Sequence, residues 1–187
     1  GYAFSKWNQL VKTCKGKGFT KQSVEKSGLF INSDKGIFDR FRSRIMFPIH
    51  HLSGKTIGFG ARIFENGDPA KYLNSPETLV YKKSDVLYGL KDSRNSILKE
   101  GYAILVEGYM DFLQLYQAKI YPVVAVSGTA FTERHALAVK RITKKVILLY
   151  DGDDAGGNAV IKAGWVMLKL GIEPCVVRPP KGKDPDD

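Results

Sequence analysis

Val146-Ile147-Leu148-Leu149-Tyr150 is followed directly by Asp151-Gly152-Asp153, and this stretch restricts the fold more than any other. A continuous apolar run of this length is typical of a strand buried on both faces of a parallel sheet. Asp151 and Asp153 are alternate residues at the end of that strand, so both can point toward one bound ion. Gly152 between them permits a sharp turn and the close approach of a substrate.

Strands and helices alternate throughout the second half of the chain. Short apolar runs predict further strands at 103–106, 122–126 and 175–177. Helical spacing predicts helices at 110–117, from Thr132 to about 141, and at 158–170. Elements that alternate in this way form a parallel sheet with helices on both faces, so we expect an α/β fold.

The first half of the chain has a different pattern. A short helical region is predicted at about 6–28, and strands at 44–50 and 56–63 are joined by a turn. Turn-forming residues predict a loop at 65–69. We therefore expect a smaller, basic, mixed α+β subdomain at residues 1–100. The parallel-sheet domain would follow at residues 101–187, truncated at its C-terminal end.

The composition indicates a globular protein with an anionic partner. Of the 187 residues, 43% are hydrophobic and 26% are charged, which argues against disorder. The formal net charge of +10 favours a polyanion such as nucleic acid, although a basic surface can also serve solubility alone. No apolar run approaches the ~20 residues of a membrane span. The two cysteines form no C-x-x-C pair, which argues against a zinc ribbon or a disulfide scaffold and fits the cytoplasm.

Carboxylates follow three of the four predicted strands. Glu107 follows the first, Asp151 and Asp153 follow the third, and Asp184 and Asp186 follow the fourth. The carboxyl ends of parallel strands meet at one edge of a sheet, where ligands bind, and converging carboxylates repel each other unless cations compensate them. Oxygen ligands of this kind suit Mg²⁺ or Mn²⁺. Each acid alone could instead cap a helix or lie in a solvated turn.

Basic residues of the first half are candidates for binding phosphate. Arg40, Arg42 and Arg44 alternate, so they share one face if this segment is extended. That face could follow a phosphate backbone, or it could be a solvated edge strand kept basic against aggregation. Further candidates are Arg62, Lys71, Lys82 and Lys83.

Several other residues have a structural interpretation, a functional one, or both. The second predicted strand ends in Ser127-Gly128-Thr129, which offers hydroxyls and open backbone amides. His135 falls within a predicted helix and is interpreted as structural. Four aromatic residues are interpreted as core rather than as base-stacking platforms: Phe41, Phe47, Phe59 and Tyr72.

The acidic motifs resemble those of the TOPRIM domain, which topoisomerases and primases share. The matching set is Glu107-Gly108 after one apolar strand, Asp151-Gly152-Asp153 after another, and Asp184-Pro185-Asp186. Longer runs resemble the bacterial DnaG-type DNA primases, whose acidic motifs are similar to residues 106–111, 150–156 and 182–186. Upstream runs that separate a primase from a topoisomerase lie at 39–49, 71–78 and 87–90.

The resemblance implies a TOPRIM-type sheet and a nucleotidyltransferase that makes short RNA primers on single-stranded DNA during replication. Glu107, Asp151 and Asp153 would be catalytic, holding metal that orients the incoming triphosphate and stabilises the leaving pyrophosphate. Asp184 and Asp186 would complete a second metal position. Asp111 would orient metal-bound water.

The resemblance also implies partners and a location. Expected partners are single-stranded DNA, ribonucleoside triphosphates and the replicative helicase, the last through a domain absent here. The zinc-binding domain of whole primases is absent as well, so no zinc is expected in this fragment. The location would be the bacterial cytoplasm, with the replication fork. Template or nucleotide contacts would fall on Arg40, Arg42, Arg44, Arg62, Lys71 and Lys83.

Three other functions remain open at this point. A TOPRIM nuclease or topoisomerase would share the acidic motifs, but nothing in the sequence marks a nucleophilic tyrosine. In a receiver or phosphoaspartyl protein Asp151 would itself be phosphorylated, which leaves the basic first half unexplained. A non-enzymatic alternative is a single-stranded DNA-binding module whose acidic site is inactive in this fragment.

Overall fold

The computed structural model describes residues 1–34, 36–64, 70–180 and 182–185, which fall into two compact units. The first unit comprises Gly1–Ile49 and Thr56–Lys82, and the second comprises His50–Lys55 and Lys83–Asp187. The predicted loop at 65–69 and Asp186 lie outside the described residues. The expected domain boundary at residue 100 concerns functional domains rather than compact units, and it stays a prediction.

The first unit is a mixed α+β structure. Its largest sheet has the strand order β1-β4-β5-β6, and β2 pairs antiparallel with β3 in a separate two-stranded sheet. The predicted strands at 44–50 and 56–63 are confirmed. The elements are β1 (Tyr2–Ala3), α1 (Gln9–Gly16), α2 (Lys21–Lys26), β2 (Phe30–Ser33), β3 (Gly36–Asp39), β4 (Arg44–His50), β5 (Thr56–Ile63) and β6 (Tyr72–Asn74).

Side-chain caps define both helices of the first unit. Asp39, at the end of β3, accepts hydrogen bonds from the backbone N–H groups of Leu10 and Val11 at 2.7 and 3.0 Å. A carboxylate at this position satisfies the first amides of α1 and complements its dipole. Thr20 caps α2 by accepting from the N–H of Ser23. Local polar contacts thus fix these short helices, each of which buries one valine.

The second unit is a four-stranded parallel sheet in the order β10-β9-β7-β8, so the α/β fold is confirmed. A 3₁₀ turn at Lys83–Asp85 precedes its first helix. The elements are α3 (Leu90–Glu100), β7 (Ala103–Val106), α4 (Tyr109–Gln117), β8 (Val123–Ala125), α5 (Glu133–Lys140), β9 (Lys145–Leu149), α6 (Asp154–Lys169) and β10 (Glu173–Val177).

Helices cover both faces of this sheet, as the continuous apolar strands predict. Ala103 and Leu105 of β7 belong to a core cluster that includes residues of α3, α5 and α6. Ile104 and Val106 belong to a second cluster, which includes Phe112 of α4. Alternate residues of one strand therefore enter opposite layers, because side chains alternate across a pleated strand. The strand must be apolar at every position, and all four of these residues are buried.

Two helices differ from the sequence prediction. α6 begins at Asp154 rather than 158, because Asp153 caps it and the two glycines that follow are accommodated within its first turn. α3 was not predicted. It is bounded by Gly89 and Gly101, both with φ of 78°, a left-handed conformation that glycine adopts without strain. Within the described ranges, no helix combines the length and apolarity that crossing a membrane requires.

Candidate metal site and basic surface

Five carboxylates meet at the carboxyl edge of the parallel sheet, and we call them the acidic edge: Glu107, Asp111, Asp151, Asp153 and Asp184. Glu107 follows β7 and Asp151 follows β9, the two central strands. Each of the other acids raises the pKa of Asp151. The predicted proximity of Glu107, Asp151, Asp153 and Asp184 is therefore confirmed, and Asp111 joins them. The predicted ligand Asp186 lies outside the described part of the chain.

Glu107 links the ends of the two central strands. Its Oε1 accepts a hydrogen bond from the N–H of Asp151 at 3.4 Å, which is long for such a bond. Burial raises the pKa of Glu107, and Asp111, Asp153 and Asp184 raise it further, whereas the bond from Asp151 opposes the shift. Asp111, rather than Glu107, accepts the bond from the N–H of Gly108 at the start of α4, at 2.7 Å.

The pKa of Asp151 is strongly raised. Burial raises its pKa to about 7, and the second-largest cause is the charge of Glu107. Its side chain is only half-buried, so the shift reflects negative potential as well as desolvation. A carboxyl group in this position binds a proton readily near neutral pH, or a cation in its place. Asp153 is used differently: its Oδ1 accepts from the N–H of Gly156 at 2.7 Å and caps α6.

Gly152 brings the third acidic motif to the site. Its N–H donates to the carbonyl of Lys183 at 3.0 Å. A Cβ at Gly152 would lie 2.6 Å from the carbonyl oxygen of Pro180 and 2.9 Å from that of Lys183. The expectation that Gly152 leaves room for a substrate is therefore corrected. Gly152 instead leaves room for the backbone segment that leads into Asp184. Only a residue without a side chain allows the two loops to pack this closely.

The turn after β8 is tied to the same edge. The N–H of Ser127 donates to the carbonyl oxygen of Glu107 at 2.8 Å. Ser127 and Gly128 have φ of 54° and 90°, both in the left-handed region. The predicted turn at 127–129 thus lies beside Glu107 of the acidic edge.

The chemistry of the acidic edge fits a hard divalent cation. Within the described ranges, no three His, Cys, Asp or Glu side chains are arranged to hold a metal ion. Magnesium in proteins is commonly bound by one or two carboxylates, with water and substrate phosphates completing its shell. The neighbouring carboxylates of Glu107 and Asp151 can supply that donor set.

The three alternating arginines do not share an exposed face, so that expectation is wrong. Ser43, with φ of 49°, interrupts the segment, and β4 begins only at Arg44. Arg44 is 1% exposed, and its Nη1 donates to the carbonyl of Ala70 at 3.0 Å, so its side chain belongs to the interior. A guanidinium inside the unit cannot reach a phosphate backbone. We therefore leave Arg44 out of the proposed nucleic-acid surface.

Arg40 and Arg42 are both half-buried but differ in their surroundings. Arg42 lies over the ring of Trp7, with its guanidinium carbon 4.3 Å from the ring centroid, and also contacts Phe38. Its Nη1 donates to the carbonyl of Asp39. Burial lowers the pKa of Arg40, whose buried Nε has no hydrogen-bond partner among the described residues. An unpaired cationic donor of this kind suits an anionic ligand.

Arg62 and Lys71 both lie close to one aromatic ring. Their charged groups are 5.8 and 5.9 Å from the centroid of Tyr72, which is 38% exposed. The assignment of Tyr72 to the core is therefore wrong, whereas Phe41 and Phe47 are buried as expected. We call Arg40, Arg42, Arg62 and Lys71 the basic surface of the first unit.

Lys83 occupies the 3₁₀ turn at the start of the second unit. The N-terminal turn of α5 holds this segment, because Nε2 of His135 lies 2.8 Å from the carbonyl oxygen of Lys83. The helix was predicted to begin at Thr132, but its connection to Lys83 was not predicted. Thr132 followed by His135 three positions later was the available sequence signal for this cap. Nothing in the local sequence linked it to Lys83.

Comparisons with known proteins agree with this architecture. One family model, described as Toprim-like, matches residues 104–187, and the fold with its acidic edge places the second unit in that class. A second model, DNA primase catalytic core, N-terminal domain, matches residues 1–94. The chain belongs to the DNA primase catalytic core family, and the predicted resemblance is confirmed.

Curated relatives give the same result. DNA primases of Clostridium acetobutylicum and Aquifex aeolicus are 41% and 42% identical to the chain over its whole length. The matched region covers 31% and 37% of these relatives, so the chain spans about a third of their length.

Solved structures show the same fold. The Aquifex aeolicus primase, with its zinc-binding and RNA polymerase domains, has a TM-score of 0.92 and 41% identity, covering all of this chain and 46% of that one. A DnaG primase catalytic domain bound to single-stranded DNA has a TM-score of 0.91 and 39% identity, again over the whole chain and over 59% of its own length.

Proposed function

We propose that this chain is the catalytic part of a DNA primase, which makes short RNA primers on a single-stranded DNA template with the help of divalent metal ions. The observation that carries the proposal is the acidic edge, where burial and neighbouring carboxylates raise the pKa of Asp151 to about 7. Carboxylates crowded in this way are unstable unless cations or protons compensate them. In a member of the primase core family, a metal-dependent phosphoryl-transfer site explains why carboxylates that repel each other are kept together.

Each acid has a proposed part in nucleotidyl transfer. Glu107, Asp151 and Asp153 would hold the catalytic ion, and Asp184 with Asp186 would hold a second one. When bound, Mg²⁺ or Mn²⁺ supplies charge that lowers the pKa of the attacking 3′-hydroxyl and stabilises the leaving pyrophosphate. Glu107 and Asp151 act as a pair, because the bond between them joins the ends of β7 and β9.

Asp111 has a supporting part. Its Oδ2 fixes the start of α4 through the N–H of Gly108, and its charge adds to the negative potential around Glu107. From this fixed position it would orient water bound at the metal. The carboxylate is buried, 7% exposed, so its position is set by packing as well as by the hydrogen bond.

The basic surface and Lys83 would bind phosphates of the template or of the nucleotides. The buried Nε of Arg40, which has no hydrogen-bond partner among the described residues, supports this assignment. So do the half-buried Arg62 and the exposed Lys71, which lie close to the exposed ring of Tyr72. A related catalytic domain has been solved with single-stranded DNA. Cations of this type position a strand through its phosphates without reading its sequence.

The remaining assignments extend the proposal to the whole protein. Residues 1–100 would act as the basic subdomain and residues 101–187 as the TOPRIM domain. Ribonucleoside triphosphates would be the substrates, and the replicative helicase would bind through a domain outside this chain. The protein would work in the bacterial cytoplasm with the replication fork, and this part of it would use no zinc.

The test is primer synthesis by the protein at its full natural length. Labelled ribonucleoside triphosphates should be incorporated on a single-stranded template with Mg²⁺ or Mn²⁺, and EDTA should abolish incorporation. Retention of DNA without any synthesis would favour a DNA-binding module, and metal-dependent cleavage or relaxation of DNA would favour a nuclease or topoisomerase. In crystals of this chain soaked with manganese, anomalous density should appear beside Asp151 and Asp153; density only at the histidines would refute the metal assignment.

A further inference from the structure

The N-terminal turn of α5 contacts three successive residues of the 3₁₀ turn: Lys83, Ser84 and Asp85. Nε2 of His135 lies 2.8 Å from the carbonyl oxygen of Lys83, and Oγ1 of Thr132 donates to the carbonyl oxygen of Ser84 at 2.6 Å. Nη1 of Arg134 contacts Oδ2 of Asp85 at 2.9 Å. These bonds join positions 48 to 52 residues apart. All three residues that hold the turn lie within a stretch of four.

The hydrogen bonds of His135 define one neutral tautomer. The N–H of Thr132 donates to Nδ1 at 3.3 Å, so Nδ1 is the acceptor and Nε2 carries the hydrogen that goes to Lys83. The side chain is fully buried, 0% exposed. Burial lowers the pKa of His135, which favours the neutral ring, whereas the Lys83 carbonyl and the charge of Asp85 oppose the shift. Both ring nitrogens are therefore used, and neither can be replaced by an apolar group without leaving a backbone group unpaired.

We propose that His135 is a positioning residue for Lys83, and that the contacts between α5 and the 3₁₀ turn hold Lys83 where it binds a phosphate. This inference rests on the proposed function, in which Lys83 binds phosphate of a nucleotide or of the template. Fixing the backbone of Lys83 at its carbonyl leaves only the side-chain torsions to be ordered when the ligand binds. Less conformational entropy is then lost on binding, which is the advantage of a preorganised site.

A purely structural histidine would behave differently from a positioning residue. Loss of a structural contact lowers thermal stability and the fraction of active protein, which reduces the apparent kcat. Loss of positioning weakens ligand binding in protein that is still folded, which raises KM or Kd. Val139 provides a matched control, because it is buried on the same helix, 1% exposed, and lies in the apolar core.

The experiment begins with Lys83→Ala in the protein at its full natural length. The KM for ribonucleoside triphosphates in primer synthesis and the Kd for a single-stranded oligonucleotide together show which phosphate Lys83 binds. If neither changes, the proposed role of Lys83 fails, and the positioning inference fails with it. If one changes, that constant becomes the readout for His135.

His135→Leu should then raise the same constant about tenfold, at the upper end of what one neutral hydrogen bond contributes, with kcat changed less than about twofold. His135→Gln keeps a donor near the position of Nε2 and should recover most of the affinity. Val139→Ala should lower the melting temperature but leave the constant unchanged. If His135→Leu does not fold, Arg134→Ala, which breaks the exposed contact to Asp85, should show the same effect at smaller size.

A double-mutant cycle decides the mechanism. Because His135 is inferred to act through Lys83, adding His135→Leu to Lys83→Ala should raise the constant no further. Additive effects would overturn the inference, as would an unchanged constant in folded His135→Leu while Lys83→Ala raises it. That last result would leave the proposed function of Lys83 intact.

Discussion

The acidic edge and the basic surface carry opposite charges and are built in opposite ways. At the acidic edge, carboxylates lie near one another, and burial and mutual repulsion raise the pKa of Glu107 and Asp151. At the basic surface, the cations lie against aromatic rings: Arg42 on Trp7, and Arg62 with Lys71 on Tyr72. The acids are held at a cost that a bound cation would relieve, whereas most of the cations are already accommodated.

This difference predicts how each region responds to substitution. If the proposed function holds, removing one acid takes away a metal ligand that other groups cannot replace but also relieves repulsion, so activity should fall without loss of folding. Removing one cation of the basic surface would take away one phosphate contact among several, so the change should be graded. The largest effects should therefore come from the acidic edge.

Glu107→Gln should have the largest effect. The substitution keeps the shape of the side chain and removes its charge, so the protein should fold and bind DNA while primer synthesis falls by about 100-fold or more. Incorporation of labelled ribonucleotides by the full-length protein is the measurement. Glu100→Gln, at the exposed end of α3, is the matched control and should retain full activity. Near-normal synthesis by Glu107→Gln would contradict the catalytic role.

Gly152→Ala should disrupt the acidic edge through its backbone. The new Cβ would meet the carbonyl oxygens of Pro180 and Lys183 and push away the segment that carries Asp184. Overpacking of this kind costs about 1–3 kcal/mol, and each 1 kcal/mol corresponds to about 2–4 °C of melting temperature for a chain of this size. Calorimetry of this chain measures the shift.

Gly157→Ala separates that clash from a general effect of losing glycine. Gly157 lies in α6 of the same motif, and nothing lies within 4 Å of a Cβ placed there. Alanine should stabilise the helix by up to about 1 kcal/mol. Equal destabilisation by the two substitutions would mean that the close contact with the carbonyls of Pro180 and Lys183 is unimportant.

Replacing Arg62 and Lys71 together with Ala should weaken binding of single-stranded DNA similarly for unrelated sequences. Each lost phosphate contact should flatten the slope of log affinity against log salt by about 0.7 units. Fluorescence anisotropy across a salt series gives both quantities. The control replaces Lys144 and Lys145, which are exposed at the amino end of β9, away from its acidic end. An unchanged slope would make Arg62 and Lys71 a solvated patch, and loss for one sequence alone would indicate base readout.

The smallest expected change concerns stability rather than activity: in the absence of metal, Asp151→Asn should reduce the pH dependence of the melting temperature. The pKa of Asp151 is raised from 3.8 to about 7 on folding, so its contribution to stability is fully present below 3.8 and is lost as pH rises through about 7. The unchanged protein should therefore melt at a lower temperature as pH increases over this range, and Asp151→Asn should reduce that decline. Added Mg²⁺ should raise the melting temperature of the unchanged protein near pH 8, but raise that of Asp151→Asn less. Identical pH profiles for the two proteins would show that ionisation of Asp151 does not lower the stability of the folded protein.

The sequence by itself determined the parallel-sheet domain and its acidic edge. Strands 103–106 and 146–150 were recognisable because a strand buried on both faces is apolar at every position, and that pattern is local. Acids that follow such strands meet at one edge of any parallel sheet, so Glu107, Asp151 and Asp184 could be brought together without coordinates. Helix α3 was missed because most of its residues are polar, so few apolar side chains mark its buried face, and because two glycines define its ends.

Only the tertiary structure decided which charged residues are exposed and what the small residues contact. Arg44 is buried because Ala70, 26 residues later, supplies an acceptor for its guanidinium. Gly152 is required by the carbonyls of Pro180 and Lys183, and His135 bonds to Lys83, 52 residues away. Periodicity reports whether a position faces a core, because one element fixes that property. The partner of a polar group depends on how separate elements pack, and no local pattern encodes it.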